Sequence, residues 1–92
     1  MTLRPLHAIR IDSEHDVVTA RVKARDASVA LGFSPQDQTR IATSVLEAAR
    51  TVLIAGNAAR AEYLVDDAAR PPRFVVRFLS GSGAGDRRWS RT

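Results

Sequence analysis

Ser34 to Gly56 reads SPQDQTRIATSVLEAARTVLIAG, and both ends of a helix are written into it. Ser34 is a hydroxyl cap, Pro35 fits the first helical position, and Asp37 places an acid in the first turn, where free amides and the positive end of the helix dipole favour it. Gly56-Asn57 stops the run near Ala55, because glycine takes the left-handed conformation that closes a helix. The wheel between these signals divides in two. Ile41, Ala42, Val45, Ala48, Ala49, Val52 and Leu53 share one arc, and Arg40, Thr43, Ser44, Glu47, Arg50 and Thr51 share the other. One face is core and the other meets water or a partner.

Toward the N-terminus, Ser13-Glu14-His15-Asp16 is a second cap, a hydroxyl followed three residues later by a carboxylate. It predicts a helix from about Glu14 to Leu31, ended by Gly32. Val17, Ala20, Ala24, Ala27 and Leu31 recur at steps of three and four, a seam of small residues that lets another element approach closely. Val18, Val22 and Val29 form a further stripe on the far side of that helix. Before it, LHAIRI (Leu6 to Ile11) alternates with period two, His7, Ile9 and Ile11 on one face, as a strand does. Toward the C-terminus, Ala61 to Val65 reads as a strand, Asp66 to Pro72 as a turn-rich connector, and Phe74 to Leu79 as the second strand of a hairpin. The expected fold is therefore an α+β two-layer sandwich of order β-α-α-β-β with a mostly antiparallel sheet. The expected domain spans residues 1–79, and 80–92, rich in Gly, Ser and Arg, reads as a mobile tail.

Composition narrows the function classes. Ninety-two residues, 45% hydrophobic and 26% charged, suit one small domain with a thin core, so a partner surface would help it. With no cysteine there is no disulfide framework and no thiolate metal site, and the cytoplasm is the expected location. No apolar stretch approaches the roughly 20 residues of a membrane span, and the first residues lack the apolar core of a signal peptide. The net charge of +4, from 14 basic and 10 acidic residues, is as well explained by arginine-rich genome usage as by nucleic acid.

Individual residues carry bland readings beside chemical ones. Glu47 and Arg50, spaced i,i+3, fit a solvated ion pair. His7 and His15 lack a paired-ligand spacing, so no metal site is expected. Ser13 and Ser34 are caps before they are nucleophiles. Arg87, Arg88, Trp89 and Arg91 interleave an aromatic with cations, as single-strand binders do, but a solvated tail accounts for them equally, and nucleic acid is not the expected partner.

Ile9-Arg10-Ile11, Asp16 to Arg21 and above all Leu31-Gly32-Phe33-Ser34-Pro35-Gln36-Asp37-Gln38-Thr39-Arg40-Ile41-Ala42-Thr43 resemble the opening of the anti-sigma-factor and serine-kinase branch of the histidine-kinase-like (GHKL) ATPases. The resemblance covers about residues 7 to 55. It implies an α/β sandwich, binding of ATP with magnesium, and phosphorylation or sequestration of regulators in bacterial partner switching. The family's ATP helix carries a Glu, matched by Glu47, and four residues later an Asn, here Thr51, whose single hydroxyl oxygen is a poorer ligand for a hard metal than an amide carbonyl. The family's Asp-x-Gly-x-Gly box is matched at Gly81 and Gly83, with Leu79 in place of the Asp that reads adenine. Each lost contact costs about 1.5 to 3 kcal/mol, so the pair weakens nucleotide binding by roughly 10²- to 10⁴-fold. Glu47, Thr51, Gly81 and Gly83 are accordingly expected as remnants of a nucleotide site, with no catalytic residue, no metal and no cofactor; ATP and magnesium enter only if the site survives its substitutions.

The expected function is a non-enzymatic regulatory module that binds a regulatory protein through Arg40, Ser44, Glu47 and Thr51 and the spare valine stripe. A homodimer is expected, because Phe74 to Leu79 would otherwise be a bare sheet edge. The alternatives are a residual ATP-dependent serine kinase with Glu47 as base, and a basic nucleic-acid-binding module using the arginine-rich end. The fading of the resemblance after the second helix also suits a piece of a larger protein.

Overall fold

The computed structural model describes residues 3–56, 58–81 and 83–91. Its elements are β1 (Leu3–Ile11), α1 (Glu14–Ala30), α2 (Pro35–Ala55), β2 (Ala59–Asp66), β3 (Arg73–Ser80) and β4 (Gly83–Ser90). The four strands form an antiparallel sheet in the order β1-β2-β3-β4. The two-layer α+β architecture is thus as expected, with one strand more.

Both helix caps form as the sequence predicts. The hydroxyls of Ser13 and Ser34 each accept a hydrogen bond from a backbone amide, that of Asp16 and of Asp37, at 3.2 Å. Gly56 closes α2 at φ +75° and donates its amide to the Val52 carbonyl. Across the helix pair, Arg50 near the end of α2 grips Glu14 at the start of α1 through Nε and a terminal nitrogen, at 3.2 and 3.1 Å. That pairing draws the Glu14 carboxyl below its usual range and leaves Arg50 turned away from Glu47.

The core lies between the helix pair and one face of the sheet. Because side chains alternate across a strand, Ile9 and Ile11 of β1, Ala61 and Tyr63 of β2, and Phe74, Val76 and Phe78 of β3 all point at Val17, Ala20 and Ala24 of α1 and at Ile41, Val45 and Ala49 of α2. The predicted alanine seam lets the Tyr63 hydroxyl reach the Ala20 carbonyl at 2.7 Å. Burial pushes the Tyr63 phenol's pKa upward.

Three sequence expectations change. The first strand starts at Leu3 rather than Leu6 and runs through Pro5, which is tolerable because β1 is an edge strand that needs no amide on its open side. A register shift between Pro5 and His7 leaves Leu6 as the odd residue. Residues 83–90 are not a tail. They form β4, and the expected boundary at residue 79 falls within the β3–β4 hairpin. The reason is the alternation hidden in GAGDRRWS: Trp89 folds inward against Phe74, ring centres 5.8 Å apart, while on the outer face Asp86 accepts from Arg77 and Arg88, each at 3.0 Å. Phe74 to Leu79 is consequently an inner strand, and β4 takes its place at the edge.

Candidate functional site

The polar face of α2 and the inner row of β4 form two walls of an open groove. Gln36, Thr39, Arg40, Thr43, Ser44, Glu47 and Thr51 recur at helical spacing along α2 and meet Arg87 of β4 across a space of about 750 Å³. A smaller hollow of about 320 Å³ continues it toward the hairpin, between Thr51 and Val52 on one side and Gly83, Gly85 and Arg87 on the other. The two share Ala48, Thr51 and Arg87.

The opening has a sequence cause. The residues of β4 that point toward the helices are Gly83, Gly85, Arg87 and Trp89, because they pair with Ser80, Phe78, Val76 and Phe74. The first two have no side chain to fill the layer, and a Cβ placed on either would meet nothing within 4 Å. Trp89 fills the other end. Arg87 stands between, its guanidinium donating a long 3.4 Å bond to its neighbour's carbonyl, that of Asp86.

The groove's chemistry is mixed but tilted positive. Arg40 lies 3.8 Å from Asp37 and is 77% exposed, and Arg87 is exposed on the facing wall. Glu47 supplies a carboxylate between them. The hydroxyls of Thr39 and Thr51 donate to the carbonyls one helical turn back, Pro35 at 3.2 Å and Glu47 at 3.0 Å, which leaves their oxygens as acceptors toward the groove. Such a surface can hold an anionic group between two guanidiniums while a carboxylate accepts a proton or a hydrogen bond beside it. No cluster of three or more His, Cys, Asp or Glu suited to a metal occurs among the described residues.

Of the residues named from sequence, Arg40, Ser44, Glu47 and Thr51 come together here, and Gly83 lines the smaller hollow. Gly81 sits exposed in the hairpin turn and lines neither. Leu79 pairs with Arg60 and Ala84 on the outer face of the sheet, opposite the groove, and Ser80 rather than Leu79 reaches the hollow. Gly85 escaped the sequence reading, and Arg87 was read there only as part of an arginine-rich tail rather than as a groove residue. Their signal was the period-two pattern of 83–90, masked by a glycine content that reads as disorder. His7 and His15 are exposed, one on β1 and one in the first turn of α1. No helix among the described residues is long and apolar enough to cross a membrane.

Comparison with curated proteins gives one partial match: 41% identity over 46 residues to the serine/threonine-protein kinase RsbT of Bacillus subtilis (strain 168). The matched stretch is 50% of this chain and spans about a third, 35%, of that protein. No family model matches the chain, and no solved structure gives a significant match. The expectation of a non-enzyme is corrected by this result, since the relative is itself a kinase and nothing in the match shows the chain to be non-enzymatic. The match supports a related family at most.

Proposed function

We propose that the chain is a regulatory protein of the partner-switching kind, working through contact between the α2–β4 groove and a regulatory protein. The observation that carries this reading is the convergence of Arg40, Ser44, Glu47 and Thr51 with Arg87 around one open groove, whose α2 wall belongs to the stretch that resembles the kinase branch. Arginine is enriched at protein-binding surfaces, and two exposed arginines flank this groove. The test compares the native chain with the double variant Arg40→Glu, Arg87→Glu as bait in the source cell. Regulator-type domains captured by the native chain and lost from the variant support the proposal. Equal capture by both removes the groove as the contact surface.

A second reading is favoured by the groove's size and by the partial match to a kinase: the same walls receive a nucleotide, with the two arginines on its phosphates and Glu47 accepting a proton from an attacking hydroxyl. Magnesium and ATP would then belong at Glu47 and Thr51, although the residues present offer one carboxylate and one hydroxyl in place of the amide expected there. Isothermal titration with Mg-ATP decides. Low-micromolar binding that tightens in Thr51→Asn supports a nucleotide site; no heat from either protein removes it.

A further inference from the structure

The two edges of the sheet are not alike. β1 is blunted by Pro5, which removes an amide, and by the register shift at Leu6, both devices that keep a second strand from adding. β4 has neither a proline nor a bulge and pairs with β3 without interruption from Gly83 to Ser90. Only charge guards it.

We propose that two copies of the chain join antiparallel through β4, with the two-fold axis at Asp86. This inference does not rest on the groove's ligand. Ser80 and Gly83 face each other across a two-residue connection, and the closing pair of such a hairpin is hydrogen-bonded. Alternation then turns the backbone groups of Gly83, Gly85, Arg87 and Trp89 toward β3 and those of Ala84, Asp86, Arg88 and Ser90 outward. A two-fold at Asp86 sets Asp86 against the partner's Asp86 and Ala84 against the partner's Arg88, all outward-turned residues, so about six backbone hydrogen bonds form across the junction.

The side chains fit the same register. On the helix-facing side the strand reads small, small, large, large: Gly83, Gly85, Arg87, Trp89. Rotation about Asp86 lays the partner's Trp89 beside Gly83 and the partner's Arg87 beside Gly85, large on small, where a Cβ meets empty space. These are the pairs that do not exchange hydrogen bonds, whose side chains approach most closely. On the outer face the two Asp86 carboxylates come together, each already held by its own Arg77 and Arg88. The partner's Arg88 is the diagonal neighbour of each, so four guanidiniums surround two carboxylates. A consequence follows for the groove: each copy's hollow at Gly83 and Gly85 is completed by the other copy's arginine and tryptophan.

The chain has no cysteine, so the register can be read by cross-linking. Gly85→Cys and Arg87→Cys are prepared separately, mixed and oxidised. The register requires a disulfide in the mixture at least about tenfold more abundant than in either protein alone, since position 85 faces only position 87. In parallel, Ala84→Pro removes an outward amide from each copy without touching the β3 ladder. It should weaken the dimer about ten- to a hundredfold at unchanged circular dichroism. A strict monomer in light scattering at high micromolar concentration overturns the proposal. So does a dimer that cross-links equally in all three samples, or one joined through Val18, Val22 and Val29 of α1.

Discussion

Tyr63→Phe gives the sharpest test of the core described above, because it separates a hydrogen bond from the ring that carries it. Tyr63 is 1% exposed, its ring lies 6.3 Å from that of Phe74, and its hydroxyl donates to the Ala20 carbonyl at 2.7 Å. Phenylalanine keeps the packing, and the Ala20 carbonyl keeps its place in the α1 ladder, so the variant loses about 1 kcal/mol at neutral pH rather than the 3 to 5 of a deleted ring. The pH dependence then runs the other way. Burial raises the folded-state pKa of Tyr63 above its unfolded value, so its contribution is whole below about pH 10 and declines as pH rises past that point, by up to about 1.4 kcal/mol per unit. The phenylalanine variant escapes that decline. Native and variant proteins should therefore be equally stable near pH 11, by the arithmetic of a 1 kcal/mol deficit against that slope. Urea titrations followed by Trp89 fluorescence at pH 7 and pH 11 measure the difference, and Tyr63, the single tyrosine of the chain, reports its own ionisation by ultraviolet absorbance. Tyrosinate appearing near pH 10 while the circular dichroism stays native would refute the buried, bonded phenol.

Removing Gly83 to Thr92 should unfold the chain or lower its thermal midpoint by well over 10 °C, since Trp89 leaves the core and Phe74, Val76 and Phe78 lose their neighbouring strand; an unchanged midpoint would return those residues to the status of a tail. Asp86→Asn should remove one component of acid sensitivity. The Arg77 and then the Arg88 guanidinium hold the Asp86 carboxyl below its usual range, so its contribution is present above about pH 4 and lost as pH falls through the lower folded value. Stability curves of native and variant proteins should converge on acidification, and parallel curves would deny the coupling. Gly56→Ala, at φ +75°, should cost about 1 kcal/mol in urea denaturation, because a Cβ is disfavoured in that conformation; a neutral result would mean the α2 terminus relaxes.

The helices were legible because their punctuation is local. Ser13, Ser34, Pro35 and Gly56 each act on backbone groups within four residues, and no distant contact was needed to place them. The strands with a clean apolar alternation, Ile9 to Ile11, Ala61 to Val65 and Phe74 to Phe78, were legible for the same reason. β4 was not. Its inner row begins with two glycines and its outer row is Ala84, Asp86 and Arg88, so neither face shows the alternating apolar signal. What orders it is long-range: Trp89 finds Phe74, and Asp86 finds Arg77 on the adjacent strand. The site inherited that gap. The α2 wall was visible as the polar half of a helical wheel, whereas Arg87 becomes part of the site only once β4 lies beside β3. Arg50 shows the converse failure, for spacing on one helix suggested Glu47 as its partner, and the antiparallel helix pair supplied Glu14 instead.

One local feature of the sequence bears on both the groove and the proposed dimer. A β4 whose first two inward positions were valines would close the helix–sheet layer over Thr51 and Val52 and would present the second copy with bulk against bulk. Glycine at 83 and 85 opens the hollow and simultaneously makes the edge self-complementary. The two consequences separate by substitution. Because Gly85 keeps ordinary strand dihedrals and a Cβ there meets nothing, Gly85→Leu should fold normally, fill the hollow and clash with the partner's Arg87. Gly85→Ala leaves most of the hollow open and disturbs only the dimer's closest pair. A ligand or regulator that needs the groove alone is lost with leucine and kept with alanine, whereas one that needs the dimer weakens in step with dimerisation in both. Binding that survives leucine with the dimer abolished would place the working surface elsewhere, on the exposed valines of α1.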